Sequence, residues 1–573
     1  MKKKWFAFGC LTSIIIVIAL LFWGFLSLKN LGKKKVKVQP DSYLHLNLTG
    51  EITEYNEIER SIFFEKTICS NELIRKINRA ATDENIKGIL LEPTWIQAGL
   101  ATTHEIMKAL QNFQSKGKEV HAYMKISGNR DYFLASVADR VYLNPSASAG
   151  ILLTGIGGNI IYYKELLDKI GVEIKVVHAG KYKGTGEQYF LNEMSQPLRK
   201  SLEDLLSDIY DELLTTVAEN RNISYDDVKA IYENRTDIMI NKDNALQYQL
   251  VDELIFRENL LARLNIKKQN LISFKDYNLP KEKSFTKDKI AVIYAQGNIS
   301  QEGTSSDFRN LSAKKFNKNL DLIIKDSSIK ALVIRVDSPG GSALESEIIL
   351  NKINRLKEIM PVVVSMANVA GSGGYYIASN SSYIFADPFV ITGSIGVVGT
   401  IPNFKKLGDK IGIHSNVIKK GKYANILDPF TEIDPQVIES IRQGVQETYD
   451  EFKARVAFGR DMTLEQVEEI AQGRLWSCNE ALENNLIDEV GFMSDAIKKA
   501  AELAGIKSYK RIYFPRKKTF EEMLLKDIFN IEMYANIFTP DIHKELGTRK
   551  AIQFYRNIQY DPIQAIMPFE ELE

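Results

Sequence analysis

The sequence predicts an α/β protein whose body is a tandem duplication of one domain, preceded by a transmembrane helix. Apolar runs typical of buried strands alternate with helical stretches, such as residues 198–218 and 436–457. Short segments also recur in the same order in the two halves, which indicates a repeated unit. The recurring pairs are 86–91 with 329–334, 132–136 with 375–379, 180–182 with 421–423, and 250–253 with 486–489.

The composition excludes several functional classes. A net charge of +1 gives no reason to expect a nucleic-acid partner, and three cysteines are too few for a disulfide framework or a metal cluster. Residues 393–399 are rich in glycine but lack the spacing of a nucleotide-binding loop. No metal-ligand spacing occurs. The sequence therefore predicts no cofactor, no metal ion and no nucleic acid.

Residues 5–28 form an uncharged, strongly apolar run with lysines on both sides. At about 1.5 Å per residue, this run is long enough to span a bilayer as a helix. We expect an uncleaved anchor that contacts membrane lipid through residues 5–28. More lysines follow the run than precede it, so charge alone would favour a cytoplasmic body.

The repeats predict four parts of the chain. Residues 1–40 would hold the anchor and the juxtamembrane segment, and residues 41–280 the first repeat. Residues 288–509 would form the second repeat, and residues 510–573 a tail without a repeat partner.

Ser372 lies in a stretch of small residues, Ala-Gly-Ser-Gly-Gly at 370–374, after a β-rich run at 361–366. Glycines allow a tight turn there and the close approach of a substrate carbonyl. A helix beginning at Gly373 would direct free N–H groups at the oxygen that becomes negative during acyl transfer. The pattern predicts either a nucleophile at a strand-to-helix elbow or a serine that only caps the helix.

The two copies differ where the chemistry would be. Ser372 aligns with Asn129, so the first copy has no nucleophile, and Lys183 aligns with Ala424, so the second copy lacks this lysine. The diglycine in Asp-Ser-Pro-Gly-Gly at 337–341 also has no counterpart in the first copy. We therefore predict that one copy supplies a base and the other supplies a nucleophile with its oxyanion donors.

These motifs, with Thr-Gly-Ser-Ile-Gly at 392–396 and Gly-Lys-Tyr-Lys at 180–183, resemble the signal peptide peptidase A (protease IV) family in its long, two-repeat form. The resemblance extends from the anchor to about residue 505. It implies two Clp protease/crotonase-like domains and no cofactor.

The resemblance also implies roles for individual residues in a serine endopeptidase with a Ser–Lys dyad. Ser372 matches the nucleophile, Lys183 the general base, and Ser394 a serine that orients the lysine amine. The backbone amides of Gly341 and Gly373 match the oxyanion hole.

The same resemblance implies a biological setting. The substrates would be cleaved signal peptides and other membrane-derived peptides, with small or apolar side chains beside the scissile bond. The protein would form a homotetramer. It would be a single-pass protein of the cytoplasmic (inner) membrane, with its catalytic body outside the cytoplasm.

A lysine acts as a base near neutral pH only if desolvation disfavours its charged form. We therefore expect an apolar pocket around Lys183 without a carboxylate paired to its amine. An ion pair with Glu187, four residues later, would weaken the assignment. The family often continues Ser-Ala-x-Glu-Pro after this lysine, whereas this chain reads Gly-Thr-Gly-Glu-Gln.

Three alternatives stay open at this point. His414 is the one histidine in a suitable region to act as the base for Ser372, and its other interpretation is a structural role. Related folds also include crotonase-like acyl-CoA enzymes, whose paired backbone amides hold a thioester oxyanion. The third alternative is a catalytically silent membrane scaffold.

Overall fold

Two large sheets, one from each half of the chain, form the body of the protein. The computed structural model describes residues 38–56, 67–279, 286–302, 310–426, 428–517 and 563–567. Within these residues, the first sheet has seven strands and the second has eight. Most neighbouring strands are parallel and helices cover the sheets, so the predicted α/β class is confirmed.

The two sheets have the same strand order over six strands. The first runs Glu253–Leu254, Arg140–Leu143, Glu119–Met124, Ile86–Gln97, Ser42–Thr53 and Leu271–Ser273, with Ile68–Cys69 also beside Ser42–Thr53. The second runs Glu489–Val490, Tyr383–Ala386, Val362–Gly371, Ile329–Ser338, Lys289–Gln296 and Lys510–Phe514, and a branch beside Val362–Gly371 adds Ile391–Gly393 and Leu475–Trp476. The strand Lys510–Phe514, within the segment assigned to the tail, therefore lies at an edge of the second sheet.

Both faces of the second sheet are buried, which explains its continuous apolar strands. In Lys289–Gln296, the six residues 290–295 are at most 5% exposed. Ala291 and Ile293 pack into the core on one face, whereas Ile290 and Val292 pack on the other. Successive side chains of a strand point to opposite faces, so covering both faces requires apolar residues at every position.

Two 26-residue helices occupy corresponding places in the two halves, Gln196–Arg221 and Pro435–Arg460. Each begins after a polar side chain that accepts a backbone N–H, and each has a proline in its first turn. Each ends at a polar residue in the left-handed conformation, Asn222 or Asp461.

The remaining elements of the described residues are shorter. The helices are Ser70–Ala81, Leu100–Gln114, Asn129–Ala135, Lys164–Ile170, Glu187–Phe190, Tyr225–Glu233, Lys242–Gln247, Arg257–Arg263, Ala313–Lys325, Ala343–Lys357, Gly373–Ala378, Lys405–Ile411, Leu464–Ile470, Cys478–Glu483 and Met493–Leu503, with a 3-10 helix at Lys268–Asn270. A small sheet contains Ile126–Ser127, Gly150–Ile151 and Ile240–Asn241.

A four-stranded sheet connects the two halves. Its order is Gly340–Ser342, Ile563–Ile566, Val397–Asn403 and Glu173–Ala179. Glu173–Ala179 comes from the first half and pairs antiparallel with Val397–Asn403 from the second along its whole length. This pairing brings the loop that follows residue 179 into the second half.

A buried ionic cluster also joins the halves. Arg335, which is 1% exposed, donates to the carboxylates of Glu54, at 2.9 Å, and Glu105. Both glutamates belong to the first half. Burial raises the pKa of Glu105 to about 7, although the guanidinium opposes this shift. We call Arg335, Glu54 and Glu105 the junction cluster.

No helix among the described residues combines the length and the apolar character needed to cross a bilayer. The two 26-residue helices have sufficient length but carry charged residues along their exposed faces. The predicted single-pass location in the cytoplasmic membrane, with an extracytoplasmic body, is corrected by this finding. Residues 5–28, which the prediction assigned to the anchor and to lipid contact, lie outside the described residues.

Candidate active site

Ser372 lies at a strand-to-helix elbow. The strand Val362–Gly371 ends immediately before it, and the helix Gly373–Ala378 begins immediately after it. Its backbone has a φ of 53° and a ψ of −116°, a conformation that is costly for a residue with a side chain. The hydroxyl makes no capping hydrogen bond to the helix, so the side chain is available for another role.

Lys183 reaches Ser372 from the other half of the chain. Its Nζ donates to Ser372 Oγ at 2.7 Å, to the carbonyl oxygen of Ser394 at 2.9 Å and to Ser394 Oγ at 3.0 Å. All three residues are buried, with Lys183 only 1% exposed. The structure therefore brings together the three side chains that the sequence singled out, although 189 residues separate Lys183 from Ser372.

Two glycines make room for the lysine side chain. A Cβ placed on Gly473 would lie 2.6 Å from Lys183 Cβ, and one on Gly396 would lie 3.1 Å from Lys183 Cδ. The loop is held in place by Gln472, whose carbonyl oxygen accepts the N–H of Tyr182 at 2.8 Å. Gly396 belongs to the Thr-Gly-Ser-Ile-Gly motif, whereas no motif in the sequence marks Gln472 or Gly473.

Burial lowers the pKa of Lys183 well below its ordinary value. Among the described residues, no carboxylate lies within ion-pair distance of its amine. Glu187 is engaged elsewhere, since it accepts the hydroxyl of Ser195 at 2.6 Å and the N–H of the same residue at 3.1 Å. Glu187 thus supports the start of the helix Gln196–Arg221 and is not paired with Lys183.

Gly341 and Gly373, the two predicted oxyanion donors, lie on two different elements that contact each other. Gly341 lies in the short strand Gly340–Ser342, has a φ of 144°, and a Cβ there would lie 2.0 Å from the carbonyl oxygen of Ile299. Both its conformation and its surroundings therefore require glycine. Gly373 follows Ser372 as the first residue of the helix.

Asp337 and Asn368 connect the strand of the diglycine to the strand of the serine. Asp337 accepts the side-chain amide of Asn368 at 3.2 Å and the N–H of Val369 at 3.2 Å. Burial, reinforced by Glu54, raises the pKa of Asp337 to about 6. Asn368 also accepts the backbone N–H of Thr102, from the first half, at 3.0 Å. The elbow is therefore fixed to both halves.

In the first half, the position that corresponds to Ser372 is occupied by a side chain that bonds within that half. Asn129, which aligns with Ser372, bonds to Thr154 and Gly155. Nearby, the carboxylate of Asp131 accepts the backbone N–H groups of Trp95 and Ile96 at 3.0 and 2.9 Å. The backbone N–H groups of Trp95 and Ile96 are therefore already bonded to a carboxylate of the same half.

The alternative base, His414, is exposed, whereas Ser372 is buried. Its side chain is 73% exposed and its Nδ1 is 3.8 Å from the carboxylate of Asp409. Within the described part of the chain, no histidine lies within hydrogen-bonding distance of Ser372 Oγ. Ala424, the counterpart of Lys183, is on the exposed loop of the second half.

This geometry can support acyl transfer. A neutral amine 2.7 Å from a serine hydroxyl can accept its proton as the oxygen attacks a carbonyl. Gly371, Gly373 and Gly374 next to Ser372 carry no side chains that would obstruct that carbonyl, and Gly373 begins a helix whose first N–H groups have no partner within the helix.

Comparisons with known proteins identify the family. The model of peptidase family S49 matches residues 112–271 and 354–507. Protease 4 of Haemophilus influenzae is 32% identical over 524 residues, which cover 86% of this chain and 83% of that protein. The chloroplastic serine protease SPPA of Arabidopsis thaliana is 31% identical over 491 residues, which cover 83% of this chain and 71% of that protein.

Among solved structures, the 1510-N membrane-bound stomatin-specific protease in complex with a substrate peptide shares 17% identity with this chain, with a TM-score of 0.27. It covers 42% of this chain and 98% of its own. The family model matches in both halves of the chain, and the two relatives match over most of it. These matches identify the family. The chain belongs to peptidase family S49 and is a serine protease.

Proposed function

We propose that this serine protease cleaves peptide bonds through an acyl-enzyme on Ser372, with Lys183 as the general base. The observation that carries the proposal is the 2.7 Å contact between Lys183 Nζ and Ser372 Oγ in a buried pocket. Burial lowers the pKa of Lys183 well below its ordinary value and so favours the neutral amine that a general base requires.

In the proposed cycle, Lys183 acts first as a base and then as an acid in each half-reaction. Lys183 takes the Ser372 proton as Oγ attacks the substrate carbonyl, and the N–H groups of Gly341 and Gly373 stabilise the resulting oxyanion. The ammonium then protonates the leaving amine. In the second half-reaction, Lys183 takes a proton from water as the water attacks the acyl-enzyme, and the ammonium returns that proton to Ser372 Oγ as the acyl group leaves. Ser394 accepts two hydrogen bonds from the amine and so keeps it directed at Ser372.

The proposed substrates are cleaved signal peptides and other apolar peptides. A relative in Enterococcus faecium, 33% identical over 219 residues, is named a putative signal peptide peptidase SppA. An extended apolar peptide also suits a site between short strands and lined by glycines. Family membership sets aside the acyl-CoA enzyme and the silent scaffold.

We propose that the body consists of two Clp protease/crotonase-like repeats, 41–280 carrying the base and 288–509 carrying the nucleophile. The matching strand orders of the two sheets support this division. They also support a second repeat that extends through Lys510–Phe514, since this strand has the same place in its sheet as Leu271–Ser273.

A homotetramer is the proposed assembly. The helices Lys164–Ile170 and Lys405–Ile411 occupy matching places in the two repeats and contact each other. Both expose large apolar side chains, with Leu166 55% and Ile411 62% exposed. Covering such a surface with other copies of the chain would remove it from water. Light scattering should give four times the chain mass, and the variant Leu166→Glu/Ile411→Glu should give a smaller species.

The proposed dyad is tested with the purified protein and three variants. Hydrolysis of a fluorogenic apolar peptide and labelling by a fluorophosphonate should be lost in Ser372→Ala and in Lys183→Ala. His414→Ala should retain both. Full activity in Lys183→Ala would refute the dyad, and a folded parent without activity or labelling would refute the proposed function.

A further inference from the structure

The strand Ile563–Ile566 lies between two other strands next to Ser372. It runs antiparallel to Gly340–Ser342 on one side and to Val397–Asn403 on the other. These two strands would otherwise present free edges to a cleft. An extended peptide binds such edges by adding itself as a strand, with its backbone making the hydrogen bonds.

The register places a carbonyl beside a proposed oxyanion donor. Ile299 bonds to the carbonyl oxygen of Gly340 at 2.7 Å and to the N–H of Ser342 at 2.8 Å, so these groups face away from the C-terminal strand. Between them, the N–H of Gly341 faces the opposite side, where Ala565 is its partner. The N–H of Met567 donates to Pro339 at 3.0 Å and continues the same ladder two residues on. The carbonyl of Ala565 therefore occupies the register of a scissile carbonyl.

The side chain of Met567 occupies a pocket that exists because residue 371 is glycine. Met567 is 3% exposed. The three atoms closest to a Cβ placed on Gly371 all belong to Met567, with Sδ at 2.0 Å and Cγ at 2.7 Å. Gly371 does not have the positive φ that would favour glycine. Its lack of a side chain is therefore explained by the pocket.

We propose that residues 563–567 occupy the peptide-binding cleft in the register of a substrate and compete with substrates for it. This inference rests on the proposed function of Ser372 and Gly341. It assigns the residue at the scissile carbonyl a small side chain, as in Ala565, and the residue two positions later a long, unbranched apolar one, as in Met567. Gly371 determines the second preference.

Competition within one chain has a definite kinetic signature. An internal strand that occupies the cleft for about nine-tenths of the time raises the apparent KM about ten-fold. The value of kcat stays the same, because saturating substrate displaces the strand.

The test uses full-length variants that weaken the strand. Met567→Lys places a charge in the apolar pocket, and Ala565→Pro removes the N–H that faces Gly341. Both should lower KM about ten-fold with kcat changed less than two-fold. Leu503→Lys, an apolar-to-lysine change on an exposed helix end, is the matched control. Unchanged KM in both folded variants would overturn the proposal.

A binding measurement separates this inference from the proposed chemistry. A fluorescent peptide with the sequence of residues 560–570 should bind the double variant Ser372→Ala/Met567→Lys, and binding to Ser372→Ala alone should be at least ten-fold weaker. A peptide that binds neither protein contradicts the inference, whatever the enzymatic activity. If the peptide binds as expected but the parent neither hydrolyses substrates nor reacts with fluorophosphonate, the proposed function fails and the strand assignment stands.

The pocket at Gly371 also predicts a substrate preference, which can be measured independently of the binding experiment. With substrates that vary only at the position of Met567, Gly371→Ala should reduce kcat/KM for methionine at least ten-fold relative to alanine. The added methyl group takes the space of the longer side chain. An unchanged ratio would show that Gly371 does not determine this preference.

Discussion

Replacing Lys183 by methionine should abolish activity and at the same time stabilise the protein. Methionine keeps a long apolar stem between the glycines that surround the lysine but has no amine. The three hydrogen bonds of Nζ, at 2.7, 2.9 and 3.0 Å, disappear together. A general base contributes about 10²–10⁴ to a rate, so kcat/KM should fall by that factor, equivalent to roughly 3–5 kcal/mol in the barrier.

The stability gain follows from the sign of the pKa shift. Burial lowers the pKa of Lys183 in the folded state, whereas an unfolded lysine titrates near 10.4. Between these two values the unfolded chain binds more protons, so the free energy of unfolding of the parent rises with pH. Methionine has no such proton to lose. The variant should therefore be the more stable at pH 7, and its advantage should shrink as the pH approaches 10.

Two assays on the same samples check both outcomes. Peptide hydrolysis and fluorophosphonate labelling report the base, and urea unfolding at pH 7 and at pH 9.5 reports the stability. Lys181→Met, two residues away on the exposed part of the loop, is the matched control and should leave both measurements nearly unchanged. Activity above a tenth of the parent's, or a variant less stable than the parent at pH 7, would refute the reasoning.

Three further predictions concern the surroundings of the dyad. Ser394→Ala should lower kcat about ten-fold, or about 1.4 kcal/mol, with little change in KM, because the amine loses one acceptor. Gly341→Ala should lower kcat about 10²–10³-fold, because its Cβ would lie 2.0 Å from a carbonyl oxygen and move a proposed oxyanion donor. Arg335→Met should cost about 3–5 kcal/mol in urea unfolding, because Glu54 and Glu105 lose their buried partner. Changing both glutamates to glutamine in that variant should recover part of the loss.

Controls for these variants come from exposed or open positions. Gly157→Ala adds a methyl group where no atom lies within 4 Å, and it should match the parent in kinetics. Ser440→Ala removes an exposed hydroxyl from a helix and should do the same. Parent-like turnover in Gly341→Ala would exclude its amide from the oxyanion hole. An Arg335→Met protein as stable as the parent would contradict the role of the junction cluster.

The sequence was most informative where a local pattern determines the structure. Alternating apolar runs predicted the α/β class, and the long helices begin and end within three residues of the predicted bounds because proline and polar capping residues mark them. The two repeats, compared with each other, singled out Ser372 and Lys183, which the structure brings within 2.7 Å. Site roles for these residues stay predictions until the variants are measured.

What the sequence did not predict depends on contacts between distant segments. Nothing in the sequence distinguishes Gly473 from other loop glycines. Its role depends on the close packing of Lys183 against it, which the fold brings about. The sequence could not tell whether Glu187 would pair with the lysine and weaken its assignment as the base; the structure shows Glu187 accepting hydrogen bonds at the start of the next helix. The pairing of Ile563–Ile566 with strands more than 160 residues away has no local signal, because a strand of only four residues, Ile-Gln-Ala-Ile, resembles many other short segments.

The division of the proposed dyad between the two halves also affects when the enzyme becomes active during its synthesis. Lys183 leaves the ribosome 189 residues before Ser372, which corresponds to roughly 10–40 s of translation. During that interval the first half can fold, but it has no nucleophile. Even after Ser372 has emerged, the strand Val397–Asn403 must still pair with Glu173–Ala179 to bring the amine into place. The growing chain is therefore protected from its own chemistry until both halves have been made and joined.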